Sequence, residues 1–256
     1  MVLKLSTAIV RRPCSNLTRG LSTSDLGKPD YDLALVQHDQ YIDALKSNGL
    51  EVIILPADNN YPDSAFIEDV AVLTPNCAII ANPAEPSRKG EIEEIPSILG
   101  KFYSNIEYIH SPGTLEGGDV LRTGLHYYVG ISRRTNRSGA RQFIKILEKY
   151  KISSSLIEIG DILHLKSIMA YLDNNNLVVA EDHAKHEALR KFNLIKINEA
   201  ESYAANCILI NGKVIMATGF PQANQAIRDV GYQTIQLNLS EFRKIDGGAS
   251  CLSLRF

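Results

Sequence analysis

The chain has 256 residues, of which 45% are hydrophobic and 22% charged, and its formal net charge is −2. This composition is typical of a globular protein with room for a sizeable core. It contains no run of Lys and Arg of the kind that follows a phosphate backbone, and no apolar stretch approaches a membrane span. We therefore expect neither nucleic acid nor a membrane as a partner.

The four cysteines show no pairing typical of zinc or of a redox motif. They are separate in the sequence, at Cys14, Cys77, Cys207 and Cys251. Free thiols and a reducing, cytoplasmic compartment are expected, with no metal site. The N-terminal MVLKLSTAIVRRP has an apolar part too short for a signal-peptide core, and we interpret it as a first strand.

A unit of about 45 residues recurs along the chain. It consists of a short apolar strand, a second strand, an amphipathic helix and a third strand. The N-terminal segment is a partial unit, with the strand AIVRRP, a helix from Asp30 to Asn48 that Gly49 ends, and the strand EVIILPAD. The next unit runs from FIEDVAVL through CAIIANP and a weaker helical stretch near 90–99 to IEYIH.

Three further segments follow the same order. EGGDVLRTG and HYYVGIS precede a helix that Asn136 caps, and SSLIEI follows it. One face of that helix is apolar, formed by Ala140, Phe143, Ile144 and Leu147. HLKSIMAYLD and NLVVAED precede a helix near 183–192 and the strand NLIKI. AANCILING and KVIMATG precede a helix near 222–230 and YQTIQLN, and CLSLRF closes the partial unit.

Five such units, each unable to bury its own apolar face, predict a closed ring. No Pro/Gly/Ser-rich linker divides the chain, so we predict one α/β domain over residues 1–256 with pseudo-fivefold symmetry. An ordinary α/β sheet with accidental periodicity is the alternative, against which strand-strand-helix-strand units argue.

Each unit begins with ionisable or polar residues, which a ring brings together at one end of its axis. These are Glu68 with Asp69, Glu116, His164, Asn206 and Cys251. Each has a plainer interpretation: a buried small thiol for Cys251, a core histidine for His164, a turn for Glu116. The two glycines before Cys251 favour a functional turn, because they permit close approach of the backbone or a positive φ.

Several motifs in the same order resemble the dimethylarginine dimethylaminohydrolases of the pentein superfamily, and they cover nearly the whole chain. They are LTRGLSTSDLGKPDY, LPADNNYPDSAFIEDVAVL, ANPAEPSRKGE, PGTLEGGDVL, SRRTNRSGA, LHLKS, ESYAANC and RKIDGGASCLSLRF. The resemblance implies a five-unit ββαβ propeller, in agreement with the repeat, and it is nearest to the compact bacterial members.

The resemblance also implies a set of functional residues. Cys251 matches the nucleophile, His164 the general acid and base, and Glu116 a guanidinium-binding carboxylate. The implied substrate contacts are Asp69 with Glu68 beside it (guanidinium), Arg88 and Arg134 (α-carboxylate), Asp63 (α-amino group), Leu21 in a mobile lid, and the backbone around Ile245 and Gly248. The family pattern has a single arginine where this chain has a doublet, which favours Arg134 over Arg133.

These residue types suit attack on a guanidinium. That cation is delocalised and a poor electrophile, so carboxylates must orient it and a thiolate must attack it. The expected sequence is addition of Cys251, protonation of the leaving amine by His164, and hydrolysis of an S-alkylthiouronium to citrulline. No cofactor or metal is expected. The expected partner is a free methylated arginine, and a homodimer is among the options for assembly.

Two alternatives remain at this stage. Arginine deiminases share the Cys, His and Glu-Gly-Gly-Asp elements, but carry an acid two residues after the histidine, where this chain has Lys166. The same fold also occurs in a ribosome anti-association factor that is not an enzyme. Such a protein has no need of Glu116, His164 and Cys251 together.

Overall fold

Five three-stranded sheets build the protein in the computed structural model, which describes residues 4–158 and 160–256. In each sheet the first strand pairs antiparallel with the second, and the second pairs parallel with the third. In that order, the strands are β3 (Ala71–Leu73), β4 (Ala78–Ile80) and β5 (Ile106–Tyr108); β6 (Val120–Thr123), β7 (His126–Gly130) and β8 (Ser153–Ile157); β9 (Met169–Tyr171), β10 (Asn176–Ala180) and β11 (Asn193–Ile197); β12 (Ile208–Ile210), β13 (Lys213–Ala217) and β14 (Gln233–Leu237); and β15 (Leu254–Arg255), β1 (Thr7–Arg11) and β2 (Glu51–Leu55).

The fifth sheet joins the two ends of the chain and closes the ring. β1 pairs antiparallel with β15, with Ala8 opposite Arg255, and parallel with β2, with Ala8 opposite Val52. Contacts between β15 and β3, β6 and β9, and β9 and β12 place the first strands side by side around the axis. The predicted pseudo-fivefold propeller is confirmed.

Helices cover the outer parts of the units: α1 (Tyr31–Ser47), α2 (Ile95–Leu99), α3 (Arg137–Lys149), α4 (Pro221–Asp229) and α5 (Ser240–Arg243). The N-cap of α3 is Asn136, as predicted, and its Oδ1 accepts the Gly139 N–H at 2.8 Å. The apolar face of α3 is buried at Phe143 and Leu147, which contributes roughly 1.5–3 kcal/mol for each such side chain. α1 ends where predicted, at Gly49 with φ +86°.

The helix predicted near 183–192 is wrong. Two short 3-10 turns, Glu181–His183 and Glu187–Leu189, occupy this segment. Within it only Leu189 and Phe192 are buried. An apolar stripe this narrow cannot stabilise a helix against the sheet.

A 3-10 turn also precedes four of the first strands, at Ile67–Val70, Gly117–Asp119, Leu165–Ser167 and Glu199–Ala205. The predicted functional residues therefore lie in or beside turns at the entrance to the inner strands, rather than in the strands. Turns leave side chains free to point at the axis. No helix within the described residues is long and apolar enough to cross a membrane.

Candidate active site

Cys251 lies in a tight turn that two glycines make possible. A Cβ on Gly247 would come within 2.2 Å of the Phe66 ring, and one on Gly248 within 2.5 Å of Asn206. The Gly248 nitrogen is 3.5 Å and Asn206 Nδ2 is 3.8 Å from Cys251 Sγ. The glycines thus serve close packing rather than a positive φ, which falls on Asp246 at 60°.

The thiol of Cys251 is held in its protonated form. Burial raises its pKa, and the charges of Asp69 and Glu68 raise it further, to about 11. The Gly248 N–H favours the thiolate and opposes this only in part. A cation that enters the site will stabilise the thiolate.

His164 lies between two carboxylates. Its Nε2 is 2.8 Å from Glu116 Oε2 and 3.8 Å from Asp69 Oδ1. Burial disfavours the imidazolium, but the charges of Asp69, Asp119 and Glu116 outweigh that cost and raise the pKa of His164 to about 9. At neutral pH His164 therefore carries a proton that it can donate.

Asp119 orients His164 through the backbone of the next residue, Leu165. Its Oδ1 accepts the Leu165 N–H at 2.9 Å, directly after His164, and its Oδ2 accepts the Ser132 hydroxyl at 2.6 Å. The carboxyl is fully buried, and burial raises its pKa although His164 and Ser132 oppose this. Asp119 is a positioning residue, because it fixes the backbone that carries His164.

Asp69 and Glu116 together hold a guanidinium in this structure, that of Arg88. Arg88 Nη1 donates to Asp69 Oδ2 at 2.7 Å and lies 3.6 Å from Glu116 Oε2. Asp69 Oδ1 accepts the Gly118 N–H at 2.9 Å. Burial opposes the Asp69 carboxylate, but His164 and Arg88 lower its pKa to about 2. The carboxylate pair is therefore a guanidinium-binding site.

Glu91 holds the opposite edge of the Arg88 side chain. Arg88 Nε donates to Glu91 Oε1 at 3.0 Å and Nη2 to Oε2 at 2.8 Å, in a bidentate pair on one 3-10 turn, Pro86–Ile92. This placement departs from the predicted clamp on the substrate α-carboxylate. Every nitrogen of the Arg88 guanidinium has an acceptor within the protein.

Arg134 has the free donor that a carboxylate clamp requires. Its Nη1 is buried and makes no hydrogen bond within the described residues, and the nearest carboxylate oxygen, on Glu116, is 3.7 Å away. The neighbouring Arg133 is exposed and pairs with Asp161 at 2.7 Å. Of the two neighbouring arginines, Arg134 lines the cavity that contains Cys251 and Arg133 does not.

Asp63 and Leu21 meet at the mouth of the site. Both oxygens of Asp63 face the Leu21 N–H, at 3.0 and 3.3 Å, and burial raises the pKa of the Asp63 carboxyl. The segment that Leu21 begins, which we call the lid (residues 21–27), also bonds to the loop that carries Cys251. The Thr23 N–H and hydroxyl both donate to Asp246 Oδ2.

These side chains enclose a cavity of about 30 Å³ lined by Leu21, Asp63, Phe66, Asp69, Arg88, Arg134, Leu163, His164, Ile245, Asp246, Gly247 and Cys251. Glu116 lies directly behind it, fully buried. Gly248 does not line this cavity, but its N–H points to the sulfur of Cys251.

Three atoms of metal-ligand type, from Asp69, Glu116 and His164, lie within 4.8 Å of one another. A metal site is the alternative interpretation of this group. However, the protein supplies its own cations, since the pKa of His164 is about 9 and the Arg88 guanidinium is 2.7 Å from Asp69. The two carboxylates, Asp69 and Glu116, are therefore balanced by two organic cations of the protein, the His164 imidazolium and the Arg88 guanidinium.

Known proteins agree with this geometry. Residues 27–253 match the family model described as N,N dimethylarginine dimethylhydrolase, eukaryotic. The chain is 48% identical over 249 residues to the N(G),N(G)-dimethylarginine dimethylaminohydrolase of Pseudomonas aeruginosa, covering 97% of this chain and 98% of that protein. The chain belongs to the dimethylarginine dimethylaminohydrolase family.

Two solved structures of dimethylarginine dimethylaminohydrolases share the fold closely. A mutant of the Pseudomonas aeruginosa enzyme complexed with citrulline has a TM-score of 0.97 and 46% identity, covering 99% of this chain and all of that one. An adduct of a histidine variant with S-methyl-L-thiocitrulline also has a TM-score of 0.97, with 47% identity, and covers 98% of this chain and all of that one.

Glu68 is the predicted substrate residue that lies elsewhere in this family member. Its Oε1 accepts from Lys166 Nζ and Arg255 Nη2, each at 2.7 Å, and it does not line the cavity that contains Cys251. The two adjacent acids therefore point to opposite sides, with Asp69 in the cavity that contains Cys251 and Glu68 outside it.

The unpredicted residues of the site include three acids, Glu91, Asp119 and Asp246, and three residues that line the cavity, Phe66, Leu163 and Gly247. Glu91 stands three residues after Arg88 in PSRKGE, a spacing that places both on one side of a helical turn. Asp119 ends the EGGD motif, where a turn was an equally good interpretation. Nothing in the sequence marks Asp246, because its contact to the lid joins segments more than two hundred residues apart.

Proposed function

We propose that this protein hydrolyses Nω,Nω-dimethyl-L-arginine, and monomethylarginine, to L-citrulline and dimethylamine or methylamine. One observation carries the proposal: a guanidinium lies on Asp69 and Glu116 beside Cys251 and His164. Membership of the dimethylarginine dimethylaminohydrolase family supports it. We assign the activity to one catalytic domain over residues 1–256.

The substrate guanidinium takes the position that the Arg88 guanidinium has in the unliganded protein. Asp63 then accepts from the α-ammonium group, and Arg134 donates its free Nη1 to the α-carboxylate. Arg88, once released from Asp69, joins Arg134 on that carboxylate. Recognition of both α-groups limits the substrate to a free amino acid.

The reaction begins at the thiol. The bound cation lowers the pKa of Cys251, which gives its proton to solvent, and the thiolate then forms a C–S bond with the central guanidinium carbon. His164 gives its proton to the departing dimethylamine as the C–N bond breaks, which leaves an S-alkylthiouronium. Its charge develops against Asp69 and Glu116.

The second half of the reaction, hydrolysis of the thiouronium, regenerates the enzyme. Neutral His164 takes a proton from water, and the resulting hydroxide attacks the thiouronium carbon. The C–S bond then breaks and the electron pair returns to Cys251, which releases citrulline. Each step uses side chains of this chain and water, with His164 as acid and then as base.

Methylated substrates are favoured over arginine because the residue two positions after His164 is a lysine rather than the acid that deiminases carry there. Lys166, at the position where deiminases carry an acid, bonds to Glu68 on the far side of the turn. The position two residues after His164 therefore supplies no carboxylate to the guanidinium nitrogen that carries the methyl groups. Methyl groups at that nitrogen bury no unpaired N–H.

Citrulline formation from dimethylarginine, monomethylarginine and arginine in parallel tests the proposal. We expect citrulline from both methylated substrates, much less from arginine, and none from Cys251→Ser. Turnover mainly of arginine would assign the protein to the deiminase-type hydrolases, and no turnover of any would favour the non-catalytic binding protein. In His164→Ala, the mass of a covalent adduct should accumulate, and normal turnover would contradict the mechanism.

The cellular compartment and the oligomeric state of the enzyme are also proposals. All four cysteines are free thiols, which supports a reducing cytoplasmic compartment. Assembly as a homodimer stays a prediction that sedimentation of the purified protein will decide.

A further inference from the structure

A second cavity lies on the axis of the ring, behind the active site. It measures about 220 Å³, and its walls come from all five first strands, β3, β6, β9, β12 and β15. Glu68, Gly117 and Ser250 line it, and each is the chain neighbour of a residue of the active site: Asp69, Glu116 and Cys251. The two cavities are therefore back to back.

The inner end of this axial cavity holds two cations on one carboxylate oxygen. Lys166 Nζ and Arg255 Nη2 each donate to Glu68 Oε1 at 2.7 Å. The other oxygen, Oε2, is buried and has no hydrogen bond within the described residues. Lys166 keeps two further N–H groups and Arg255 Nη2 keeps one.

The other terminal nitrogen of Arg255 fixes that side chain in place. Its Nη1 donates to the Ser250 and Ser253 carbonyls at 3.0 and 2.9 Å and to Ser253 Oγ at 2.8 Å. The guanidinium is therefore pre-organised with its Nη2 edge toward the axis. A rigid donor of this kind loses little entropy when it binds a ligand.

The lining of the axial cavity carries an excess of positive charge. Three cations, Arg122, Lys166 and Arg255, face one acid, Glu68, among its lining residues. Low-dielectric walls strengthen the field of such a set and concentrate anions in it. Free N–H donors and uncompensated charge together match a small oxyanion.

We propose that the axial cavity is a binding site for a small dianion of the phosphate class, held by Lys166 and Arg255 with Arg122 on the wall. The site is separate from the substrate pocket and goes beyond the proposed function. Its chemistry requires no bond to be made or broken.

Such an anion also acts on the thiol across the turn. It draws Lys166 and Arg255 away from Glu68, so the Glu68 charge is less compensated, and it adds negative charge of its own. Glu68 already contributes to the raised pKa of Cys251. Alkylation of Cys251 at a fixed pH is therefore expected to slow when the axial cavity is occupied.

Titration with inorganic phosphate at constant ionic strength, followed by calorimetry and by the midpoint of thermal unfolding, tests the proposal. The protein is kept saturated with citrulline so that the substrate pocket is occupied. We expect saturable binding and a rise in the midpoint, both lost in Lys166→Met and in Arg122→Gln. Arg122 is only half-buried, and its Nε bonds to the Gly124 carbonyl of the same hairpin turn, so Arg122→Gln keeps the test decisive if Lys166→Met is unstable.

Arg134→Gln is the matched control, because it removes an arginine from the substrate pocket and leaves the axial cavity intact. Binding that persists in Arg134→Gln and is lost in Arg122→Gln supports the axial site. The reverse pattern, or no binding in the wild type, overturns it. Neither readout depends on turnover, so failure of the proposed function is distinguishable.

Discussion

The proton on Cys251 is the residue-scale property with the clearest consequence. A thiol whose pKa is about 11 is protonated throughout the neutral range, and its reactivity depends on the small thiolate fraction. We expect iodoacetamide alkylation of the unliganded protein to accelerate roughly tenfold per pH unit from neutral pH up to about pH 11. The measurement is the rate of mass increase at each pH.

Asp69→Asn should shift this alkylation profile to lower pH, because it removes a negative charge that raises the pKa of Cys251. Cys251→Ser should gain much less adduct under the same conditions, since Cys251 lines a cavity and is 9% exposed, whereas the other three cysteines are 0–2% exposed. A profile that levels off near pH 7 in the unliganded protein would contradict this account of the site.

Single residues were predictable where a motif fixes both type and position. Cys251, His164 and Glu116 recur at unit starts, so the ring alone brings them together. The roles of Arg88 and Glu68 were not predictable in the same way. Which of several nearby acids a guanidinium contacts depends on side-chain directions, and sequence spacing does not specify these directions.

At the scale of elements, the lid depends on one side chain of the catalytic loop. Asp246 accepts from the Thr23 N–H and hydroxyl while its backbone stays at φ 60°. Asp246→Gly keeps that backbone conformation and removes both bonds. Loss of about 1.5 kcal/mol of charged hydrogen bonding should raise KM for dimethylarginine roughly tenfold.

The control for the lid is Ser24→Ala, because Ser24 bonds only within the lid, to Ser22 and Leu26. Its KM should stay near that of the wild type. Equal KM values for Asp246→Gly and the wild type, measured by citrulline formation, would show that Asp246 does not hold the lid over the substrate.

Elements were predictable wherever periodicity and caps agreed. Asp30 and Asn136 cap α1 and α3, and Gly49 ends α1, as their residue types indicate. The segment 183–192 failed because helix-forming residues are abundant there but only two side chains are buried. The helix propensity of this segment was therefore not supported by a buried apolar face that could pack against the sheet.

For the whole molecule, the closed ring makes the position of the chain ends unimportant. The Ser6 and Thr7 N–H groups both donate to the Phe256 carbonyl at 2.9 Å, so the first described strand begins beside the last residue. A circular permutant joined there and opened between Gly124 and Leu125 should fold and keep its citrulline-forming activity. Leu125 is 83% exposed in the turn that joins β6 and β7.

Opening the ring between Gly117 and Gly118 instead should abolish folding. That turn is packed so closely that a Cβ on Gly117 would lie 1.9 Å from the Glu68 carbonyl oxygen. Circular dichroism and thermal unfolding of both permutants measure the difference. Equal stability of the two would show that the turns at the axis do not hold the units together.

In the binding mode that we propose, displacement of the Arg88 guanidinium from Asp69 and Glu116 makes ligand binding an ion exchange. One guanidinium leaves as another arrives, so the large Coulomb terms appear on both sides of the equilibrium and nearly cancel. What remains is a difference set by the methyl groups and the two α-groups of the ligand. Affinity can thus be modest while discrimination is high, and the protein never exposes two bare carboxylates to sodium or potassium ions between turnovers.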